Sequence, residues 1–176
     1  MSNFRFIKRD LNINKILRQV LKNPDDWNEV STYSNIDGDK NPYGFLPMTM
    51  ALVEEGADPK NAEDQQDTPL KAKYTEIRKF LQKWECDDHS RAAFFRLKPG
   101  HSVGWHIDEG TYYLTRDRYH LSLQGQYKYT VDDETHIIKP GTFFWFDNKK
   151  QHTALNVSDV DRITFVFDVP KRPANP

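Results

Sequence analysis

Two histidines and an aspartate in the second half of the chain have the types and spacing of metal ligands. His106 and Asp108 are two residues apart in the segment Trp105-His106-Ile107-Asp108, and side chains two apart on a β-strand project to the same face. His152, which opens a later apolar segment, offers a third ligand. Two imidazoles and a carboxylate can bind one metal ion. The alternative is that one or more of the three is a surface or structural residue, because an isolated His-x-Asp occurs often by chance.

Two histidines and one carboxylate on a β scaffold form the facial triad of non-haem Fe(II) oxygenases, which leaves positions open for a cosubstrate and oxygen. Such an oxygenase needs electrons, and 2-oxoglutarate supplies them by oxidative decarboxylation, while its far carboxylate needs a fixed cation. Arg162 begins the apolar segment Ile163 to Phe167, and from the start of a strand its guanidinium could pair bidentately with that carboxylate. The alternative is a solvated arginine paired with Asp159 or Asp161.

A second group of polar side chains shares one face of a predicted strand. Arg118 and His120 are in phase with Ser122 and Gln124, whereas the residues between them are apolar or aromatic and take the other face. We interpret this pattern as a polar inner wall, which would present planar donors to an anion.

The elements that must position these residues are short strands. From residue 92 onward the sequence consists of aromatic and β-branched runs separated by Pro-Gly pairs and acidic turns, a pattern typical of strands. We predict eight strands: Ala92 to Leu97, Ser102 to Asp108, Tyr119 to Gln124, Tyr127 to Val131, Thr135 to Ile138, Thr142 to Phe146, His152 to Val157 and Arg162 to Val169. Their number and spacing favour a mainly β double-sheet jelly roll or barrel.

The first ninety residues have a different pattern. Helical spacing predicts a short amphipathic helix over Asn12 to Lys22 and a longer one that begins at Thr68-Pro69 and continues to Trp84. The segments Gly38 to Pro47 and Glu54 to Asp67 are predicted loops. We therefore predict a single domain. Residues 1–90 form a helical and loop region packed on the core, 91–170 form the β core, and 171–176 form a loose tail.

Composition excludes several classes of function. The chain has 176 residues, with 25 Lys plus Arg against 26 Asp plus Glu, so it has no net attraction for nucleic acid or an anionic membrane. The single cysteine, Cys86, excludes an intrachain disulfide and suits a reducing compartment. His89 beside it lacks partners for a second metal site. Because no segment has the length of a signal-peptide core or a membrane span, we expect a cytoplasmic protein.

Several motifs together resemble the aspartyl/asparaginyl β-hydroxylase family, over roughly residues 90 to 170. In chain order these are Pro99-Gly100, His106-x-Asp108, Arg118-x-His120, Pro140-Gly141, Phe146-Asp147-Asn148, His152-x3-Asn156 and Arg162. The resemblance implies a double-stranded β-helix (jelly-roll, cupin-like) with the N-terminal helices packed outside. It also implies Fe(II) and 2-oxoglutarate as cofactors, and hydroxylation of an unactivated C–H bond.

The resemblance also implies roles for individual residues. His106 and His152 would be iron ligands, Arg162 would hold the far carboxylate of 2-oxoglutarate, and Arg118 with His120 would bind near the metal-chelating carboxylate. Some family members, including the animal peptide hydroxylases, lack a carboxylate ligand. The presence of Asp108 therefore makes this chain more similar to the bacterial and small-molecule branches.

One position departs from the peptide hydroxylases of the family. Phe95 stands where they place a serine that helps to hold 2-oxoglutarate. That contact is therefore either lost or supplied by Ser122.

The expected substrate is an amino acid, a peptide side chain or another small polar molecule. The predicted rim, Glu109 to Asp117 together with Gly38 to Pro47, is polar and tyrosine-rich. In this rim Arg116 is a candidate partner for a substrate carboxylate, and His101 is close enough in sequence to the cavity mouth to touch substrate. Two other functions stay open: a cupin-type metal enzyme that does not use 2-oxoglutarate, and a non-enzymatic small-molecule-binding barrel.

Overall fold

A computed structural model describes residues 2–30, 43–84 and 90–171. In chain order the strands are β1 (Phe4–Lys8), β2 (Asn28–Val30), β3 (Tyr43–Pro47), β4 (Thr49–Ala51), β5 (Gln65–Asp67), β6 (Ala92–Leu97), β7 (Ser102–His106), β8 (Arg116–Gln124), β9 (Tyr127–Val131), β10 (Glu134–Ile138), β11 (Phe143–Phe146), β12 (His152–Asn156) and β13 (Arg162–Pro170). The helices are α1 (Asn14–Leu21), α2 (Pro69–Lys73), α3 (Thr75–Lys83) and α4 (Thr111–Leu114), with 3-10 turns at Pro24–Asp26 and Pro59–Asn61.

The eight strands β6 to β13 correspond to the eight predicted from the sequence, with ends that differ by a few residues. They are divided between two antiparallel sheets: the larger includes β11-β8-β13-β6 in that order, and the smaller is β10-β9-β12-β7. Successive strands alternate between the sheets for most of this run, which is the winding of a double-stranded β-helix. The fold is therefore the mainly β jelly roll that the sequence predicts.

Alternation along β13 shows why the larger sheet has two different faces. Ile163, Phe165 and Phe167 are buried in the core that α1 and α3 cover from outside. The intervening positions, which begin with Arg162 and end with Asp168, face the space between the two sheets. A second cluster of buried rings, including Tyr129 and Phe146, fills part of that space. The sheets therefore enclose an interior that is partly polar.

The predicted longer helix is divided into α2 and α3 at Tyr74, where the backbone has φ −88° and ψ 67°. The Tyr74 hydroxyl donates to Asp26 at 2.8 Å, and its ring packs on Phe94. Thr68 does not cap the helix with its side chain, because that hydroxyl donates to the carbonyl of Pro47 at 2.7 Å. Tertiary hydrogen bonds thus override the local helical pattern here.

The sequence predicts only helices and loops for residues 1–90, but the structure also has strands there. β1 pairs with β11, and β3 joins β6 with β2 at its outer edge, so the larger sheet has seven strands. β1 has only five residues, and its partner lies far along the chain. Local pattern alone does not reveal a strand whose pairing partner is so distant in the sequence.

Several sequence predictions lie outside the described residues. These are Cys86, His89, the first part of the Gly38 to Pro47 loop, and the tail beyond Lys171. No helix in the described part of the chain is long and apolar enough to cross a membrane.

Candidate metal centre

The structure brings the three predicted metal ligands together. His106 ends β7 and His152 begins β12, and the two residues face each other across this antiparallel pair with ring centroids 4.1 Å apart. Asp108 follows β7 by two residues. Potential ligand atoms of the three side chains all lie within 4.8 Å of one another. We call these three residues the candidate metal centre.

Backbone carbonyls orient both imidazoles. Nδ1 of His106 lies 2.8 Å from the carbonyl oxygen of Gly104, and Nδ1 of His152 lies 2.8 Å from that of Lys150. A carbonyl can only accept, so Nδ1 carries the proton and Nε2 is the nitrogen that can serve as ligand. Burial, together with the neighbouring His106, lowers the pKa of His152 to about 4. His152 is therefore neutral at physiological pH, as a metal ligand must be.

Asp108 is held by two donors on the same oxygen. Its Oδ2 accepts hydrogen bonds from Arg118 Nη1 and Asn148 Nδ2, each at 2.9 Å, so Oδ1 is the oxygen left for a metal. Burial by itself would raise the pKa of Asp108, but the Arg118 guanidinium and the other nearby donors hold that pKa below its ordinary value. Two imidazoles and one ionised carboxylate are a donor set that fits a divalent metal ion.

The candidate metal centre opens into a cavity between the sheets. Much of its wall is apolar, with Phe146 and Val166 among the lining residues. The ionisable side chains that line it are arginines, histidines and tyrosines, and no carboxylate is among the described lining residues. The cavity is therefore suited to an anionic ligand.

Four buried side chains with an unpartnered polar atom form a group, of which Arg162 lines the cavity. Arg162 is 4% exposed and lines the cavity, and its guanidinium lies 4.3 Å from the ring centre of Tyr127. No hydrogen-bond partner within the described residues is found for Arg162 Nε, Ser122 Oγ, Tyr127 Oη or Thr164 Oγ1. Asp161 lies instead beside Arg96, at 3.9 Å. Since buried polar groups are nearly always paired, this group, which we call the floor cluster (Ser122, Tyr127, Arg162, Thr164), indicates a site for an anion.

The sequence as a whole matches a known protein family. The match is to the family described as aspartyl/asparaginyl beta-hydroxylase, and it extends over residues 6–172, nearly the whole chain. The chain belongs to this family. No curated protein sequence matches it.

Solved structures similar to this hydroxylase-family chain include several cupins. A predicted oxalate decarboxylase from Thermotoga maritima is 17% identical with a TM-score of 0.47, over 82% of this chain and 92% of that one. A cupin superfamily protein from Desulfitobacterium hafniense is 20% identical with a TM-score of 0.39, over 48% of this chain and 71% of that one. Similarity at this level does not indicate an activity.

The two family-motif residues on β8 have different surroundings. His120 lines the cavity, and its Nδ1 has no partner within the described part of the chain. Burial, with the charge of Arg162 nearby, lowers the pKa of His120 well below its ordinary value, so its imidazole is neutral. Arg118 also lines the cavity, but it pairs with Asp168 through Nε and Nη2 and with Asp108 through Nη1. Its donors are thus directed largely at protein carboxylates.

The two predicted substrate residues do not line the cavity. Arg116 donates to Glu63 at 2.6 Å and stacks on the ring of Tyr112, so its charge is used to join two parts of the protein. His101 lies in the turn before β7, where its backbone N–H donates to the carbonyl of Lys98. Neither residue is placed to contact a molecule in the cavity.

Phe95 does line the cavity, packed against the rings of Tyr43 and Phe45. Ser122, its predicted replacement as a cosubstrate contact, is fully buried in the floor cluster opposite Thr164 on β13. Thr164 of the floor cluster is also the register partner of Phe95 on β6.

The sequence analysis missed several residues of the site. Thr164 and Asp168 lie two and six positions after Arg162 in β13. Alternation along a strand therefore predicts the same face for all three residues and could have identified them. Asn148 was noted only as part of a motif, without a role. Tyr113 carried no signal, because its contact with Arg118 depends on how α4 packs.

Proposed function

We propose that this hydroxylase-family protein is an Fe(II)- and 2-oxoglutarate-dependent dioxygenase. Its substrate would be an amino acid, a peptide side chain or another small polar molecule, hydroxylated at an unactivated C–H bond with release of succinate and CO2. The observation that carries the proposal is that one cavity is lined both by Arg162, the buried arginine of the floor cluster, and by His106 and His152 of the candidate metal centre. A dicarboxylate keto acid could bind the metal with one end and the floor cluster with the other.

Each part of the cavity would have a separate task. When bound, iron and 2-oxoglutarate would activate O2, of which one oxygen atom would enter succinate and the other the hydroxylated substrate. His106, Asp108 and His152 would hold the iron, with the two imidazoles oriented by backbone carbonyls. The carboxylate of Asp108 would offset part of the metal charge.

The floor cluster would recognise the far carboxylate of the cosubstrate. Arg162 can make a forked, charge-assisted pair with a carboxylate, and the hydroxyls of Ser122, Tyr127 and Thr164 can each donate to an oxygen. Because these groups have no other partner in the described structure, an anion there would satisfy donors that folding has already buried. The hydroxyls of the floor cluster would thus compensate for the serine hydroxyl that is missing at Phe95.

Neutral His120 would donate to, or accept from, a ligand near the metal without adding charge. The apolar walls, including Phe146 and Val166, would exclude bulk water and strengthen the contacts to the anion. On another side of the cavity, Tyr43 and Phe95 would contact the carbon skeleton of the substrate.

The cosubstrate is tested by anaerobic titration of the protein with Fe(II) and 2-oxoglutarate. We expect a metal-to-ligand charge-transfer band in the visible, because 2-oxoglutarate would chelate the iron through its keto and carboxylate oxygens. Succinate, which lacks the keto group, is the control and should give no band. Metal binding without the band would contradict the proposal and favour a cupin-type enzyme that does not use 2-oxoglutarate. Absence of both would favour a binding barrel.

The substrate class is tested by screening free amino acids and peptides that contain Asp or Asn. A substrate should increase succinate release above the rate seen without it. If only lipid vesicles did so, the proposal of a small polar substrate would be wrong.

A further inference from the structure

Asp168 is a fully buried carboxylate, and Arg118 links it to Asp108 of the candidate metal centre. The two residues lie opposite each other on β13 and β8. Arg118 donates to both oxygens of Asp168, from Nε at 2.8 Å and from Nη2 at 3.0 Å. This is the forked geometry that fixes the plane of a guanidinium. The remaining nitrogen, Nη1, donates to Oδ2 of Asp108.

We propose that Asp168 is a positioning residue for the candidate metal centre. By fixing the plane of Arg118, it fixes Nη1 against Oδ2 of Asp108 and so directs Oδ1 toward the metal. The inference rests on the proposed function only in taking His106, Asp108 and His152 as metal ligands.

The charges of the three residues support this role. If Arg118 paired with Asp108 alone, it would neutralise the carboxylate charge that attracts the metal ion. With Asp168 included, one positive charge is shared by two buried carboxylates, so the group keeps a net negative charge. Asp108 can then be oriented by a cation and still attract a metal ion.

Tyr113 supplies a third support for the guanidinium. Its hydroxyl accepts from Arg118 Nη2 at 3.0 Å and from Arg91 Nη1 at 3.1 Å, and its ring centre lies 4.7 Å from the guanidinium carbon of Arg118. A hydroxyl and a ring face on one side and a carboxylate on the other leave the guanidinium little freedom to rotate. Arg118 therefore acts on the metal through Asp108, in contrast to the cosubstrate contact implied by the family resemblance.

The test measures binding of Co(II) alone to the full-length, metal-free protein, by titration calorimetry and by the visible absorption of the bound ion. In Asp168→Asn the amide offers Arg118 only one acceptor oxygen, so we expect Co(II) to bind about tenfold or more weakly, the usual effect of losing such a support. The absorption spectrum should change as well, because Asp108 is no longer held in one orientation. Asp161→Asn, which removes a carboxylate near the other end of β13 that pairs with Arg96, is the matched control and should bind Co(II) like the wild type.

A folded Asp168→Asn protein with wild-type Co(II) affinity and spectrum would overturn the inference. If that variant does not fold, Asp168→Glu decides, because it keeps the charge but displaces the carboxylate from Nε and Nη2 of Arg118. Weaker Co(II) binding in that variant by a few-fold would support the inference, and unchanged binding would overturn it. If the wild type binds Co(II) but gives no charge-transfer band with Fe(II) and 2-oxoglutarate, the proposed function fails. The comparison of Co(II) binding between the wild type and Asp168→Asn would still test the role of Asp168.

Discussion

At the scale of single residues, His152 joins the candidate metal centre to the interior core. Its ring packs against Phe146 and Tyr129, and its Nε2 is the nitrogen that a metal could bind. In His152→Ala we expect Co(II) affinity to fall at least 100-fold, because one of three ligands is lost. The fold should persist with a loss of about 1 to 3 kcal/mol in the free energy of unfolding, from the cavity created. Calorimetry and thermal unfolding would measure the two effects.

The control for that variant is His136→Ala. His136 pairs with Glu134 away from the candidate metal centre, so its removal should leave Co(II) binding unchanged. Equal Co(II) affinity in His152→Ala and the wild type would refute the assignment of His152 as a ligand.

Arg162 is the residue on which cosubstrate binding should depend most. In Arg162→Ala the far carboxylate of 2-oxoglutarate would be buried without a cation, a change that costs about 2 to 5 kcal/mol. The KM for 2-oxoglutarate should therefore rise roughly 100-fold or more, while Co(II) affinity stays as in the wild type. Arg162→Lys should recover part of the loss, because an ammonium cannot make the forked contact. Succinate production at varied 2-oxoglutarate measures both, and an unchanged KM in both variants would move the cosubstrate site elsewhere.

At the scale of elements, the segment that carries Asp108 is held by the N-terminal half of the chain. After β7, Gly110 and α4 pack on the 3-10 turn Pro59–Asn61, where the Thr111 N–H donates to Asn61 Oδ1 at 3.0 Å. Gly110 has φ 115° and ψ 160°, a conformation that is essentially restricted to glycine. A Cβ built there would lie 2.2 Å from the carbonyl oxygen of Lys60. Backbone from two distant parts of the chain thus meets beside a metal ligand.

Gly110→Ala should displace this segment. We expect a loss of about 2 kcal/mol or more in the free energy of unfolding, together with weaker Co(II) binding, because Asp108 is two residues away. Gly56→Ala is the matched control: Gly56 also has a positive φ, of 83°, but a Cβ at that position would have no described atom within 4 Å. It should lose only about 1 kcal/mol and keep its Co(II) affinity. Denaturant unfolding with Co(II) titration measures both, and identical behaviour of the two variants would show that the close approach is unimportant.

At the scale of the whole molecule, Glu134 links the chain's first residues to the smaller sheet. Its carboxylate accepts from the Asn3 N–H at 2.6 Å and from the Ser2 hydroxyl at 2.7 Å, and it lies 2.9 Å from Nε2 of His136. β1, which follows Asn3, belongs to the larger sheet. Glu134 therefore connects the two sheets at this end of the fold.

This link predicts a specific sensitivity to acid. Hydrogen bonds from His136, Ser2 and Asn3 lower the pKa of Glu134 from 4.5 to about 2. Because the folded-state pKa lies below the unfolded value, the stabilisation is fully present above about pH 4.5 and is lost as the pH falls through about 2. Glu134→Gln should remove this contribution, so its free energy of unfolding should fall less steeply with pH over that window. Asp133→Asn, a change at an exposed neighbour, is the control, and equal slopes for wild type and Glu134→Gln would contradict the prediction.

The sequence by itself determined the local features of this protein. Runs of aromatic and β-branched residues between Pro-Gly pairs and acidic turns predicted β6 to β13, because this composition is a property of each segment alone. The order of the motifs pointed to the family that the whole-chain match establishes. Two residues of the candidate metal centre could be predicted for a similar reason, because His106 and Asp108 are only two positions apart in the sequence.

Tertiary structure alone decided which side chains meet across the fold. Arg118 and Asp168 are fifty residues apart, Arg116 and Glu63 are fifty-three apart, and only strand register and loop packing select these partners. Arg116 was therefore predicted at the substrate and found in an ion pair. The division of the long helix at Tyr74 and the addition of β1 to the larger sheet have the same cause. Contacts that are distant in the chain outweigh local preferences when they bury a polar group with its partner.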